Sequence, residues 1–563
     1  MTAEVLAGAP PHGDWHAINW RAVHTTVRRL QVRIVKATQE NRWGKVKALQ
    51  RLFTHSFSGK ALAVRRVTET QGKRTPGVDG VLLNTPAKKA QALANLTQRG
   101  YRPHPLKRIL IPKPNGKSRV LGIPTQFDRA FQALHLLALE PLAETTADPN
   151  SYGFRKDRSV ADALEQCFNL LAKRSSHQWV LEGDITNCFD DISQTWLQNH
   201  IPMDRAILRK WLQAGYIFRG HRFPTTSGVP QGAPLSPVLA NLTLDGLEGT
   251  LTRRFPSRLG GPVYLVRYGD DFVITGRTKE LLEQQVKPFV IEFLQTRGLT
   301  LSPTKTHLTH VTTGFDFLGS HLQKCGPRLL IKPARKNVTA FLRKVKAVLN
   351  SAANWPPERI IQTLNPMIRG WASFHQASVS KAIFSYVDHR IFGYLRQWMI
   401  RRHPHKSLTW CYEKYLTRVA SQRLVFHGQR LDQHGVLQPI RLFQAASVPI
   451  KRHIKIKAHA NPYDPAWEPY FETRLGFQMA DSLKDRRVLL TLWFAQDGCC
   501  PVCHQKITRA SGWNVHHLTR RVDGGPNTLS NLILLHPTCH SQVHHQGLSV
   551  AKPRPLKRAF RKA

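Results

Sequence analysis

The chain has 563 residues, room for about three or four domains of ordinary size. It carries 82 Lys plus Arg against 36 Asp plus Glu, a formal net charge of +46, and self-repulsion on that scale opposes a compact fold unless a polyanion neutralises it. Nucleic acid is the natural partner, with steeply salt-dependent binding through counterion release. No apolar run approaches the roughly 20 residues of a spanning helix and no lipidation signal is present, so a membrane partner is not expected.

From Met1 to Trp15 there is no basic stretch followed by an apolar one, so no secretory signal is read. Residues 1–80 form a basic block with helical pattern, in which Trp20, Val23, Val27, Leu30 and Ile34 fall at spacings of three and four. The turn cluster Thr75-Pro76-Gly77-Val78-Asp79-Gly80 ends it. Over 81–328 short apolar strands alternate with helical stretches, an α+β pattern. Between about 330 and 445 the pattern is helical again, with the helical domain placed at 329–430. Val338, Phe341, Leu342, Val345, Val348 and Leu349 make one apolar face, while Arg335, Lys336, Arg343, Lys344 and Lys346 lie mostly off it. That basic face reads equally as a solvated surface or as one turned to RNA. Residues 431–484 are a basic region and linker, 485–548 a compact Cys/His-rich block, and 549–563 a basic tail expected to be disordered, with Lys552, Arg554, Lys557, Arg558, Arg561 and Lys562. Cys167, Cys188, Cys325 and Cys411 are scattered and read as buried, reduced thiols; Cys499, Cys500, Cys503 and Cys539 cluster as metal ligands do. This cysteine usage suggests an intracellular protein.

The run from Pro262 to Ile274 reads as strand, tight turn, strand, with Gly269 permitting the turn and Asp270 and Asp271 at its tip. Alone, such a string is a common hairpin. A second apolar strand, Trp179 to Ile185, carries Asp184 near its end. Carboxylates converging from separate strands can hold two Mg²⁺ about 3.5–4 Å apart, one activating a primer 3′-hydroxyl and one neutralising a triphosphate. Asp184, Asp270 and Asp271 are the candidate ligands. The segment Ile109 to Leu121 looks like a hairpin around Asn115-Gly116, and its Lys113 and Arg119 are placed to clamp the phosphates of a nucleotide. Gly228-Val229-Pro230-Gln231-Gly232 is a loop ahead of an apolar helix from Leu235 to Leu244, where backbone can approach a nucleotide closely.

In order, Thr75 to Gly80, Lys117-Ser118-Arg119-Val120-Leu121-Gly122-Ile123-Pro124, Ser151-Tyr152-Gly153-Phe154-Arg155, Gly183-Asp184-Ile185, Gly228 to Gly232, Tyr268-Gly269-Asp270-Asp271, Leu301-Ser302-Pro303-Thr304-Lys305-Thr306 and Phe317-Leu318-Gly319 resemble the fingers and palm of reverse transcriptases, in particular group II intron-encoded proteins. The resemblance covers nearly the whole chain. It implies right-hand polymerase fingers and palm at 81–328 with the N-terminal block as their extension. Phe189 would then be the steric gate that rejects a ribose 2′-hydroxyl, and Gln231 a contact to nucleotide or template. Most of the family has Ala where Gly269 stands; Gly meets the turn at least as well, so activity is expected, with fidelity or rate open to change. Leu364 to His375 looks like the signature of the thumb, or maturase, region, implying RNA binding and splicing assistance, with Trp371 and Phe374 read locally as core. Arg452, Lys455 and Lys457 resemble part of the region that handles target DNA.

Cys500-x2-Cys503 followed by His536-x2-Cys539 has zinc-ligand spacing, two short pairs separated by a loop, which suits a structural Zn²⁺ with four protein ligands. Within that frame Trp513 to His517 reads as a strand ending in adjacent histidines, and His540 and His544 share a helix face. The set resembles the ββα-metal, or HNH, nuclease motif. By that resemblance His517 would be the general base, His516, His540 and His544 would hold one divalent metal, and Asn531 would fix the loop and base. A zinc knuckle that only binds nucleic acid would leave His516, His517 and His544 unexplained.

The combined expectation is an α+β multidomain RNA-directed DNA polymerase with a helical thumb and a small zinc-bearing HNH domain. It would bind group II intron RNA, promote splicing, nick target DNA and extend the freed end from dNTPs. The resemblance places it in a bacterial cytoplasm, nucleoid-associated as a ribonucleoprotein, or in an organelle. The rival readings are a splicing maturase without polymerase activity and a stand-alone HNH endonuclease.

Overall fold

The computed structural model describes residues 14–112, 116, 118–256, 261–419, 422–431, 436–483, 486–520 and 523–553. Lys113, and the tail from residue 554 on, lie outside the described residues.

Three helices open the fold: α1 (Trp20–Gln39), α2 (Trp43–His55) and α3 (Phe57–Glu69). Asn19 caps α1 by accepting the Ala22 amide, and Ser56 caps α3 by accepting that of Gly59 at 3.0 Å. The predicted apolar stripe Trp20, Val23, Val27, Leu30, Ile34 is fully buried. It packs on α4 (Gln126–Thr146), which is buried on nearly every face and is therefore the core helix of this part of the molecule.

A sheet of order β2-β1-β4-β5 follows, made of β1 (Leu106–Pro112), β2 (Ser118–Ile123), β4 (Tyr216–Phe218) and β5 (His221–Phe223). The β1–β2 hairpin closes through Gly116 at φ +78°. A second sheet, order β6-β7-β3-β8, holds β3 (Trp179–Gly183), β6 (Tyr264–Tyr268), β7 (Asp271–Gly276) and β8 (His307–His310), all antiparallel. Val180, Leu181, Leu265, Val266, Val273 and Ile274 bury its two faces. A three-stranded sheet, β9 (Phe315–Phe317), β10 (Ser320–Cys325) and β11 (Arg328–Pro333), leads to the helices α5 (Arg335–Ser351), α6 (Pro357–Phe374) and α7 (Lys381–Arg402).

These three helices have their own core, including Val338, Phe341, Leu342, Val345, Leu349, Ile361, Leu364, Ile368 and Trp398. The basic residues Arg335, Lys336, Arg343, Lys344 and Lys346 are all exposed. Trp371 packs as read, stacked on Phe341 at 4.8 Å and donating Nε1–H to Asn337 at 3.0 Å. Phe374 does not: it is 48% exposed, because the helix turn that buries Ala372 points it outward. Cys325 is likewise exposed, unlike Cys167, Cys188 and Cys411, since it is the last residue of β10, at the turn into β11. The helical reading to about 445 is also corrected. The strands β12 (Leu416–Val419), β13 (Gln422–Leu431) and β14 (Leu437–Arg441) form a three-stranded antiparallel sheet. The short apolar run Leu424-Val425-Phe426, with a β-branched and an aromatic residue, favours a strand over a helix.

The stretch read as linker is bound along its length. Ile456 N–H, His453 Nε2 and Arg474 all reach the buried carboxylate of Asp162, at 2.7, 2.8 and 2.9 Å. Arg158 donates to the Ala458 and Ala460 carbonyls, and Tyr463 donates to Glu140 at 2.8 Å, where Arg66 of α3 also binds. The strap thus runs across the palm face to the N-terminal helices. Beyond it, α8 (Arg487–Ala495), the hairpin β15 (Asn514–His517) and β16 (Leu532–Leu535), and α9 (Pro537–Gln546) make the C-terminal domain. It docks on the N-terminal helices: Gln542 donates to the His16 and Ile18 carbonyls at 2.8 and 2.9 Å, and Thr538 donates to Glu69.

Candidate nucleotidyl-transfer and nuclease sites

The register of the palm sheet brings the three carboxylates together. Gly183 at the end of β3 pairs with Phe272 of β7, so Asp184 emerges beside the β6–β7 turn that carries Asp270 and Asp271. The Ser302 amide donates to the Asp184 carbonyl at 2.8 Å, holding the chain as it leaves the sheet. Burial, then the charges of Asp270 and Asp184, pushes Asp271 up to about 6. Asp270 is raised as well, by burial first and by Asp184. Like charges crowded in this way call for a cation. One is present in the chain itself: Lys305 Nζ donates to Asp184 Oδ2 at 2.8 Å. Lys305 lies in the quoted Leu301 to Thr306 motif, but its spacing alone gave no sign that it reaches Asp184.

On the open side of this cluster, Arg119 on β2 donates Nε–H to Gln231 Oε1 at 2.9 Å, and Gly122 N–H donates to the Gln231 carbonyl at 2.8 Å. Two of the predicted nucleotide residues are therefore in contact with each other. Phe189, 8% exposed, sits beneath the same loop, its carbonyl accepting the Val229 amide at 2.6 Å. Sequence reasoning missed Phe154, whose ring meets Phe189 edge-on at 6.0 Å. It also missed the wholly buried Arg267, which bonds Asn241, the Gly269 carbonyl and Asp245 and so braces the turn.

In the C-terminal domain Cys500, Cys503, His536 and Cys539 are all buried, and a ligand atom from each lies within 4.8 Å of the others. Cys503 Sγ is 3.3 Å from His536 Nδ1. Three thiols and an imidazole at this spacing are a donor set suited to Zn²⁺, and they can hold it. Cys499 is outside the group. The second cluster is His516, His540 and His544, again within 4.8 Å, with His540 and His544 Nε2 atoms 3.3 Å apart. Burial, then the neighbouring His540 and His544, lowers His516 to about 4, so it offers the neutral nitrogen a metal needs. His517 points elsewhere, its Nε2 3.3 Å from Asn527 Oδ1. Asn531 closes the intervening loop. It donates to the Thr519 and Pro526 carbonyls at 3.0 and 2.9 Å and accepts the Thr519 amide at 2.7 Å.

A palm with converging carboxylates, a helical domain with an exposed basic face and a Cys/His-rich ββα domain define a polymerase joined to a nuclease. Family comparison agrees segment by segment. Residues 15–96 match the N-terminal domain of reverse transcriptase, 111–322 reverse transcriptase (RNA-dependent DNA polymerase), 338–416 the group II intron maturase-specific domain, and 500–546 HNH endonuclease. Protein YkfC of Escherichia coli (strain K12) is 32% identical over 321 residues, 49% of this chain and 83% of that one. Group II intron-encoded protein LtrA of Lactococcus lactis subsp. cremoris is 31% identical over 281 residues, and the match spans 46% of each chain, so it covers about half of LtrA's length. Among solved structures, telomerase from Candida albicans is similar at a TM-score of 0.33 and 13% identity, covering 57% of this chain and 68% of that one. The chain belongs to the group II intron-encoded proteins, as a reverse transcriptase with a maturase domain and an HNH endonuclease domain. No helix among the described residues is long and apolar enough to cross a membrane.

Proposed function

We propose that the chain copies RNA into DNA at the Asp184, Asp270, Asp271 site and nicks DNA at the His516, His517, His540, His544 site, the 3′-hydroxyl freed by the second serving as primer for the first. The observation that carries this is the convergence of three carboxylates, Asp270 and Asp271 on one turn and Asp184 beside it, crowded enough to push Asp271 up to about 6 and met by the Lys305 ammonium. This donor set fits a pair of Mg²⁺ ions, which when bound activate the primer hydroxyl and neutralise the triphosphate. Arg119, joined to Gln231, orients the phosphates of the incoming dNTP, a role the sequence also gives to Lys113. Gln231 fixes the loop against which the base pair rests, and Phe189 closes the pocket at the sugar.

In the nuclease domain His517 takes the proton of the attacking water. Asn527 holds its ring, and Asn531 fixes the loop between them. His516, His540 and His544 hold a divalent cation, which when bound polarises the scissile phosphate. Cys500, Cys503, His536 and Cys539 hold a structural Zn²⁺. The exposed Arg335, Lys336, Arg343, Lys344 and Lys346 of α5 receive intron RNA for splicing, and Arg452, Lys455 and Lys457 on the strap meet target DNA. Partners of this kind place the protein with the nucleoid as a ribonucleoprotein.

The test uses the full chain with its intron RNA, a DNA duplex carrying the target site, dNTPs and Mg²⁺. The parent yields cDNA joined covalently to the nicked strand. His517→Ala yields none from intact duplex but regains it on pre-nicked duplex. Failure of the pre-nicked duplex to rescue His517→Ala would contradict the coupling of the two sites.

A further inference from the structure

The loop at residues 151–155 and the turn at Gly269 approach more closely than side chains would permit. A Cβ on Gly153 would lie 2.3 Å from Gly269 N, and a Cβ on Gly269 would lie 2.9 Å from Phe154 Cε2. Gly269 has φ +67°, as its turn requires. Phe154 also has a positive φ, +60°, a conformation bulky residues rarely adopt and one that concentrates at functional sites. Its ring is 49% exposed and meets the nearly buried Phe189 edge-on, centroids 6.0 Å apart at 85°.

Neither a core role nor a loose surface loop accounts for this. A core residue would be buried, and a loose loop would relax the backbone. Here the backbone is pinned. Asn241 Nδ2 donates to the Gly153 carbonyl at 2.8 Å, and the Tyr152 amide donates to the Arg267 carbonyl at 2.8 Å. The Arg267 guanidinium donates to Asn241 Oδ1 at 3.2 Å and to the Gly269 carbonyl at 3.3 Å. One buried side chain thus braces both sides of the contact, and the strained aromatic is held between the carboxylate turn and Phe189.

We propose that Phe154 is a specificity-determining positioning residue: its ring backs Phe189 and fixes how closely Phe189 meets the nucleotide sugar, while Gly269 leaves the space in which the Phe154 ring sits. The inference rests on Phe189 meeting the 2′ position of the sugar. Without the Phe154 ring, Phe189 loses its edge contact and retreats, so that a ribose 2′-hydroxyl is admitted.

The experiment measures single-nucleotide incorporation by the full chain on an RNA template with a DNA primer, for a dNTP and the matching rNTP. It reads the ratio of their kcat/KM values. Loss of folded protein lowers both rates equally and leaves the ratio unchanged. Phe154→Ala is expected to lower the ratio at least about tenfold, the low end of what altering a hydrophobic pocket wall achieves, mainly by a lower KM for the rNTP. Phe154→Tyr keeps the parental ratio. If Phe154→Ala makes no product, Phe154→Leu is read on the same scale. A parental ratio in the Phe154 variant beside a collapsed ratio in Phe189→Ala would overturn the proposal and leave Phe189 as the gate. A parental ratio in Phe189→Ala would overturn both.

Discussion

At the proposed polymerase site Asp270 sets stability against function in one residue. Burial and the Asp184 charge both raise its pKa, so the ionised form is held at a cost that bound cations relieve. Asp270→Asn removes that repulsion together with the ligand. It is expected to lower cDNA synthesis by about 10²-fold or more, since metal stabilisation of developing charge is worth several kcal/mol. In metal-free buffer the same substitution is expected to raise the melting temperature. A melting temperature below the parent's would mean that the carboxylate is structural. Residue type and spacing made these three aspartates legible in the sequence, because adjacent acids at a Gly turn and a third at a strand end have few other uses. Lys305 and Arg267 were not legible. Lys305 reaches Asp184 because β8 pairs with β3, and Arg267 braces the turn because Asn241 and Asp245 lie against β6, placements that no local pattern encodes.

At the scale of elements, the strap from His453 to Arg474 is the departure from expectation. Basic charge and prolines suggested a linker, and that reading fails because its partners are distant in sequence. They are Asp162 and Arg158 on the palm, and Glu140 on α4. Asp162 is the anchor. Burial alone would raise its pKa, but hydrogen bonds from His453, Ser159 and the Ile456 amide, with the His453 charge, bring it down to about 2 from the ordinary 3.8. A lowered carboxylate contributes stability that is complete above the unfolded value and is lost as pH falls through the folded one. The strap is therefore expected to hold down to the window between about 3.8 and about 2 and to release within it. Asp162→Ala, which removes the buried carboxylate on which His453, the Ile456 amide and Arg474 meet, is expected to cost about 3 kcal/mol. Denaturant unfolding would give the cost, and faster proteolysis within residues 449–474 would show the release. Unchanged proteolysis would mean that the other contacts suffice. The apolar stripe of α1 and the hairpin of β6 and β7 were legible from periodicity alone. The sheet at 416–441 was not, because a helical pattern on its N-terminal side was extended into it.

For the whole molecule, two chemistries share one chain, and one of its hydrophobic cores runs from the N-terminal helices through Leu181, Phe272 and Ile274 to Leu532, Ile533, Leu534 and Leu535 of the nuclease domain. The nuclease domain packs through Gln542 and Thr538 onto the N-terminal helices, while its His516, His540, His544 cluster is built from β15 and the opposite side of α9. On the proposed reading Cys500, Cys503, His536 and Cys539 hold zinc and are folding determinants, since such sites fold with their metal. Cys503→Ser, or a strong chelator followed by Mg²⁺, is expected to abolish nicking and remove one bound zinc while leaving primer extension within about twofold, as for a substitution far from the polymerase site. Loss of both activities would show that the N-terminal helices depend on the docked domain. The central claim, that the palm carboxylates form an RNA-directed DNA polymerase site, is tested most directly by primer extension. The purified full chain is given an RNA template, a DNA primer, dNTPs and Mg²⁺, beside the Asp270→Ala, Asp271→Ala double variant. The account predicts cDNA from the parent and none from a variant that is folded and still binds RNA. No cDNA from a folded, RNA-binding parent, even with its intron RNA supplied, would contradict it and leave a splicing maturase without polymerase activity.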